Sequence, residues 1–150
     1  HEFVDYAYPE RMLEVFDYAN SSPDRVYPRS IIPVDATTIR DMPYKHRSVD
    51  PFEGTRKAGI DSIDVYTFSS NLFKQWLFDM VTGDSEHAWR IYDGAGHEYI
   101  RQLNSEHRVD GDWKIKPGHT DNHVWDCEVM ALAGATILGD IRPIWIPKAV

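Results

Sequence analysis

A chain of 150 residues fits one domain that can bury a hydrophobic core of its own. With 42% apolar and 13% aromatic residues it has the composition of a globular protein, which excludes a disordered one. The net charge of −8, from 24 acids against 16 bases, argues against non-specific nucleic-acid binding through an overall positive field and suits either an acidic surface or a site neutralised by divalent cations.

In chain order, "HEFVDYAY" sets apolar residues closely around Asp5 and reads as a strand ending in a carboxylate. "PERMLEVFDYAN" reads as a helix: Pro9 suits a first turn, and Met12, Leu13, Val15, Phe16 and Ala19 form an apolar stripe near helical spacing. "SSPD" breaks it, and "RVYPRSIIPV" is a strand that Pro28 and Pro33 push towards irregularity or a sheet edge. From Asp35 to Gly59 the composition turns polar and basic, with Lys45, His46, Arg47, Arg56 and Lys57. Without periodicity, that segment reads as a functional or mobile loop.

"IDSIDVYTF" is the clearest strand, through Ile60, Ile63, Val65, Tyr66 and Phe68. "SSNLFKQWLFDMVTG" is the clearest helix. Ser69 or Ser70 caps it, Leu72, Phe73, Trp76, Leu77 and Met80 form its buried face, and Gly83 stands where it stops. A short strand over "AWRIYD", a helical turn or two over "GHEYIRQLNSEH" and a brief strand over "WKIKPG" follow. The tail "IRPIWIPKAV", broken by Pro143 and Pro147, reads as an extended arm. Strands alternating with helices make the fold class α/β. No apolar run approaches the roughly 20 residues of a membrane helix, and no segment reads as a signal peptide.

The last helix, near Asn122 onward, has Thr120 or Asp121 as its cap. Asp126, Val129, Met130, Ala133 and Ile137 recur at steps of three and four, so they share one face. An aspartate at the start of a packed stripe has two explanations. The positive end of the helix dipole favours it, or it is a metal ligand, because a partly buried carboxylate is costly without a cation or hydrogen bonds. Cys127, the single cysteine, excludes an intrachain disulfide framework, fits a reducing compartment and reads as an inert, buried thiol.

"DNHVWDCEVMALAGA" resembles the closing helix of the nuclease domain in the large subunits of phage terminases, the lambda-like DNA-packaging motors. That family ends its nuclease domain on a motif similar to Asn-Glu-x-x-Asp-Cys-x-Val-Tyr-Ala-Leu-Ala. The chain matches it at Asn122, Asp126, Cys127, Val129, Ala131, Leu132 and Ala133, and departs at His123 and Met130. Looser likenesses precede it in the same order. "VDYAY" resembles a strand-end aspartate, and "DVYTFSSNLFKQWLFDMV" a strand with a lysine-bearing helix, Lys74 standing at the lysine. "EYIRQLNSEHRV" resembles a Tyr/Phe-x-x-Gln-Leu-x-x-Glu segment through Tyr99, Gln102, Leu103 and Glu106.

The resemblance implies an RNase H-like mixed sheet flanked by helices, with an acidic cluster holding two divalent metals. One such metal activates water and the other stabilises the leaving oxygen; Mg²⁺ or Mn²⁺ suits oxygen ligands. By position Asp5 and Asp126 would be catalytic metal ligands, and His123 a further metal or phosphate contact. The family's first acidic strand should precede Asp5, so the chain is expected to be a fragment or to lack that strand. No Gly-x-x-x-x-Gly-Lys-Ser/Thr loop occurs, so the ATPase motor domain is not in this sequence.

Other constellations carry weaker chemistry. His119, His123 and Asp126 have a spacing that would chelate zinc if the helix began early, although Pro117-Gly118 places His119 outside it. Asp121 and Glu128 are supplementary ligand candidates; Asp121 suits a cap better and Glu128 points away from Asp126. Asp61 and Asp64 flank a strand and suit its surface. Lys45, Arg47, Arg56 and Lys57 form the concentrated basic stretch that would grip a phosphate backbone, and Lys74 would reach one or simply snorkel.

The expectation is one terminase nuclease-like domain over residues 1–150, cutting double-stranded DNA by metal-assisted hydrolysis in the cytoplasm of an infected or prophage-bearing bacterium. The terminase ATPase domain, small terminase subunit and portal are its implied partners. The alternatives are a non-catalytic packaging or docking module with an incomplete metal site, and a zinc hydrolase built on His119 and His123.

Overall fold

The computed structural model describes residues 31–34, 42–49, 63–83, 85 and 87–139, together with residue 14. Asp5, Arg56, Lys57, Asp61 and the tail "IRPIWIPKAV" lie outside the described residues, as does all but helical Glu14 of the helix predicted from Pro9. The chain forms two compact units, His1–Ser69 and Ser70–Val150. Five strands and three helices among the described residues meet the α/β expectation.

The first unit contains β1 (Ile31–Val34), β2 (Tyr44–Val49) and β3 (Ile63–Ser69). Their order is β1-β3-β2, with β1 parallel and β2 antiparallel to β3. Within the described sheet the most strongly alternating segment is thus the central strand, and Pro33 stands in an outer one, where a missing donor is tolerated. β2 corrects the loop predicted from Asp35 to Gly59. Its sequence YKHRSV has little apolar signal because the strand lies at the edge of the described sheet, where charge is favoured. Lys45 and Arg47 are therefore strand residues, at register positions opposite Thr67 and Val65. Tyr44 and His46 set their rings near Tyr66, at centroid distances of 6.1 and 4.8 Å.

The second unit starts with α1 (Ser70–Thr82), which follows β3 without a break. Phe73, Trp76, Leu77 and Met80 are its buried side chains, four of the five predicted. α2 (His97–Leu103) leads through two residues into a hairpin of β4 (Glu106–Val109) and β5 (Asp112–Ile115). The hairpin turns on Asp110 and Gly111, at φ 54° and 93°. Both values lie in the left-handed region that an Asp-Gly pair accepts readily. Only β5 was predicted; the Asp-Gly signal that marks its partner lies in the sequence.

α3 (His123–Leu138) is the last element among the described residues and ends at Gly139, whose left-handed backbone lets its N–H reach the carbonyls of Ala135 and Thr136. α3 packs against α1 and α2, and α1 against β5. Trp125, Val129, Leu132, Ala133 and Thr136 are buried, whereas Met130 and Ile137 are half-buried. The predicted stripe is therefore rotated towards Trp125, whose ring sits 5.5 Å from Trp113 of β5. Asp126 consequently falls on the rim of the packed face, and Cys127 is exposed, not buried as predicted.

Two side-chain bonds frame α3. Its N-cap residue Asn122 makes no capping bond, and neither Thr120 nor Asp121 supplies the predicted one. Instead Gln102 of α2 accepts from the Val124 N–H at 3.2 Å, satisfying an orphan donor from outside the helix. Farther along, Glu128 accepts from the Trp89 indole N–H at 2.7 Å and from the Tyr99 hydroxyl. The segment "AWRIYD" is consequently an anchored loop and not the predicted strand. Its polar ties run to α3 and, through the Trp89 N–H, to the Met80 carbonyl.

Two outcomes follow from this frame. Replacing Gln102 with Ala should cost about 1 kcal/mol, as loss of a helix cap does, read as a lower denaturation midpoint. Burial first, and then the Glu128 carboxylate, push the Tyr99 phenol up to about 12. The folded state thus favours the protonated phenol, so its contribution is complete below the ordinary tyrosine value of about 10 and is lost as pH rises through about 12. In an alkaline absorbance titration Tyr99 should ionise late, Tyr99→Phe should delete that step, and Glu128→Gln should move it to lower pH.

Candidate active site

Asp126 does not stand alone. The Lys74 ammonium, on the second turn of α1, lies 3.0 Å from Asp126 Oδ1 and 2.8 Å from each carboxylate oxygen of Glu106. Asn122 donates through Nδ2 to Glu106 Oε1 at 2.7 Å. Two acids 20 positions apart in sequence, one at the head of β4 and one in the first turn of α3, therefore converge on a single nitrogen. Their nearer oxygens lie within about 6 Å of each other, a gap that cations spaced about 4 Å apart can span.

Local structure explains the convergence. α2 stops at Leu103, and the Lys116 N–H donates to the Ser105 carbonyl at 2.8 Å, so the hairpin opens immediately at Glu106. The Glu106 side chain is 4% exposed and Lys74 11%, whereas Asp126 is 44% exposed. A carboxylate as buried as Glu106 requires partners, and Lys74 and Asn122 supply them. Asp126 is favoured both by the Lys74 ammonium and by the positive end of α3. The cluster holds two carboxylates against one ammonium and carries a residual negative charge.

A second polar group sits on α2. Arg101 reaches Glu98 at 2.6 Å and Asp121 at 3.4 Å. Hydrogen bonds from Arg101, and then from Gln102, hold the Glu98 carboxyl down at about 2, and the same pairing raises Arg101 above its ordinary value. Asp121 also accepts from the Thr120 hydroxyl at 2.8 Å. These contacts tie the segment before α3 to α2, with Asp121 as a tether.

Of the predicted site residues, Asp126 and Lys74 come together. Glu106, quoted above only within the Tyr-x-x-Gln-Leu-x-x-Glu resemblance, is the acid that joins them; its position three residues after Leu103 in that segment was the available signal. His123 is exposed on α3, and Lys45 is exposed on β2. Asp5, Arg56 and Lys57 lie outside the described residues, as does the Arg47 side chain. Among the described residues no group of three His, Cys, Asp or Glu side chains is arranged to hold a metal ion. His119, His123 and Asp126 accordingly form no zinc-ligand set there.

The family described as terminase large subunit gpA, endonuclease domain, matches residues 30–145. That span includes Lys74, Glu106, Asn122 and Asp126, and begins after Asp5. No curated protein and no solved structure gives a match. Matched over most of its length, the chain belongs to the terminase large subunit gpA endonuclease-domain family.

Proposed function

We propose that this chain is a metal-dependent endonuclease of a phage DNA-packaging terminase, hydrolysing phosphodiester bonds of double-stranded DNA. The observation that carries the reading is the convergence of Glu106 and Asp126 on one cation, Lys74. An all-oxygen pair of carboxylates is the donor chemistry that Mg²⁺ or Mn²⁺ prefers. Glu106 and Asp126 would hold such ions, with Asp5 as a further ligand. Bound there, the ions lower the pKa of water and neutralise crowded phosphate charge. The protein's own part is to fix Glu106 through Asn122, to leave Asp126 open to solvent, and to keep the helix bearing it in place through Gln102.

Support for an RNase H-like arrangement comes from a mixed sheet whose central strand feeds directly into the lysine-bearing helix. In this reading residues 1–150 form one nuclease-like domain, and Lys45, Arg47, Arg56 and Lys57 contact the phosphate backbone. Weak intrinsic DNA affinity is tolerable where the ATPase motor, small subunit and portal hold the substrate. A second reading, a docking module that keeps the fold without cutting, is favoured by one fact. The described residues supply two clustered acids and no third.

A plasmid-nicking assay with Mn²⁺ decides between them. Glu106→Gln and Asp126→Ala should each lower the rate by more than about 100-fold, beyond the roughly 10- to 100-fold loss that changes behind a metal ligand produce, and Asn122→Ala should fall within that lower range. Cleavage untouched by Asp126→Ala removes the site assignment, and a folded wild-type chain that never nicks supports the docking module.

A further inference from the structure

We propose that Lys74 is the resident counter-ion of the Glu106–Asp126 pair and competes with a divalent cation for the same oxygens. The inference rests on the reading that this pair binds metal. Its ammonium stands 2.8 Å from both oxygens of Glu106 and 3.0 Å from Asp126 Oδ1. It therefore occupies the space between the carboxylates that a shared cation would need. A metal bound at roughly 2.0–2.2 Å from such oxygens and an ammonium at hydrogen-bonding distance cannot hold them together, because like charges would be forced into contact.

Lys74 is suited to such an exchange. With the ammonium present, the nearly buried Glu106 is neutralised and hydrogen-bonded without any metal. Lysine carries a compact charge on a flexible four-carbon stem, so it can leave without disturbing the helix that bears it. While it stays, the fraction of molecules ready to take a metal is reduced, and the apparent affinity falls by that fraction. Arginine at this position would hold two carboxylates through a rigid fork of donors and release them less readily. The Arg101 guanidinium is engaged by Glu98 and Asp121.

Mn²⁺ titration by calorimetry, with thermal denaturation at several Mn²⁺ concentrations, tests this on the intact chain. Lys74→Met keeps the apolar stem and removes the charge. It should melt lower than wild type without metal, bind Mn²⁺ about tenfold more tightly, and gain more in melting temperature per added Mn²⁺. Lys74→Arg should do the opposite, binding Mn²⁺ more weakly than wild type, and it carries the test alone if Lys74→Met does not fold. Unchanged or weaker Mn²⁺ binding in folded Lys74→Met overturns the competition and leaves the metal reading intact. Unchanged or tighter binding in Lys74→Arg overturns it likewise. Absence of Mn²⁺ binding in wild type and both variants overturns the competition together with the metal reading. Tight binding that survives Glu106→Gln places the ion elsewhere and also overturns it.

Discussion

One ammonium held between two carboxylates organises the second unit of this chain. Glu106 is too buried to stay charged without compensation, and its partners come from either side of it in the sequence: Lys74 from α1 and Asn122 from the start of α3. Removing one partner from a buried pair costs about 3–5 kcal/mol, because the other charge is left uncompensated. Through Glu106, Lys74 and Asn122 the hairpin head is tied to α1 and to the beginning of α3. Apolar packing through Phe73, Trp76, Leu77, Trp125, Val129 and Leu132 supplies the bulk of the cohesion, but it is tolerant of sliding. The charged contact is directional, and it sets the register in which these elements meet.

The same division of labour recurs around α3. A helix rich in small residues can approach its neighbours closely, and three of its polar groups are satisfied from outside: the Val124 N–H by Gln102, Glu128 by Trp89 and Tyr99, and Asp126 by Lys74. Two acids on one helix thus have different duties. Glu128 anchors the loop between α1 and α2, and Asp126 remains partly open to solvent. α2 is short, yet it contributes Gln102 to the start of α3 and Tyr99 to its middle, which explains how seven residues hold a place in the core.

What could be read from the sequence followed the strength of its periodic signals. β3 and α1 alternate or repeat clearly, and both fell where predicted. β2 escaped because a strand at the edge of the described sheet carries charge where an interior one carries valine, so YKHRSV looks like a loop. β4 escaped because EHRV offers one apolar residue where DWKI offers two, although Asp110-Gly111 announces the turn. The rotation of α3 came from Trp125: a large ring seeks its partner Trp113 and turns the helix by part of a turn, a tertiary effect that spacing alone does not encode. For the site, Asp126 was legible as an acid on a packing face. Glu106 was legible only through the Tyr-x-x-Gln-Leu-x-x-Glu resemblance, since a lone glutamate after a short helix reads as a surface residue until Lys74 and Asn122 are seen around it.

The rotation of α3 also turns Cys127 outward. It is the only thiol in the chain and is solvent-exposed one position beyond Asp126. Neighbouring residues on a helix diverge by about 100°, so a small maleimide-linked fluorophore or spin label attached there would stand beside the carboxylate without replacing it. The native protein thus carries its own attachment point for optical or magnetic reporting on that end of the helix, with no cysteine engineering.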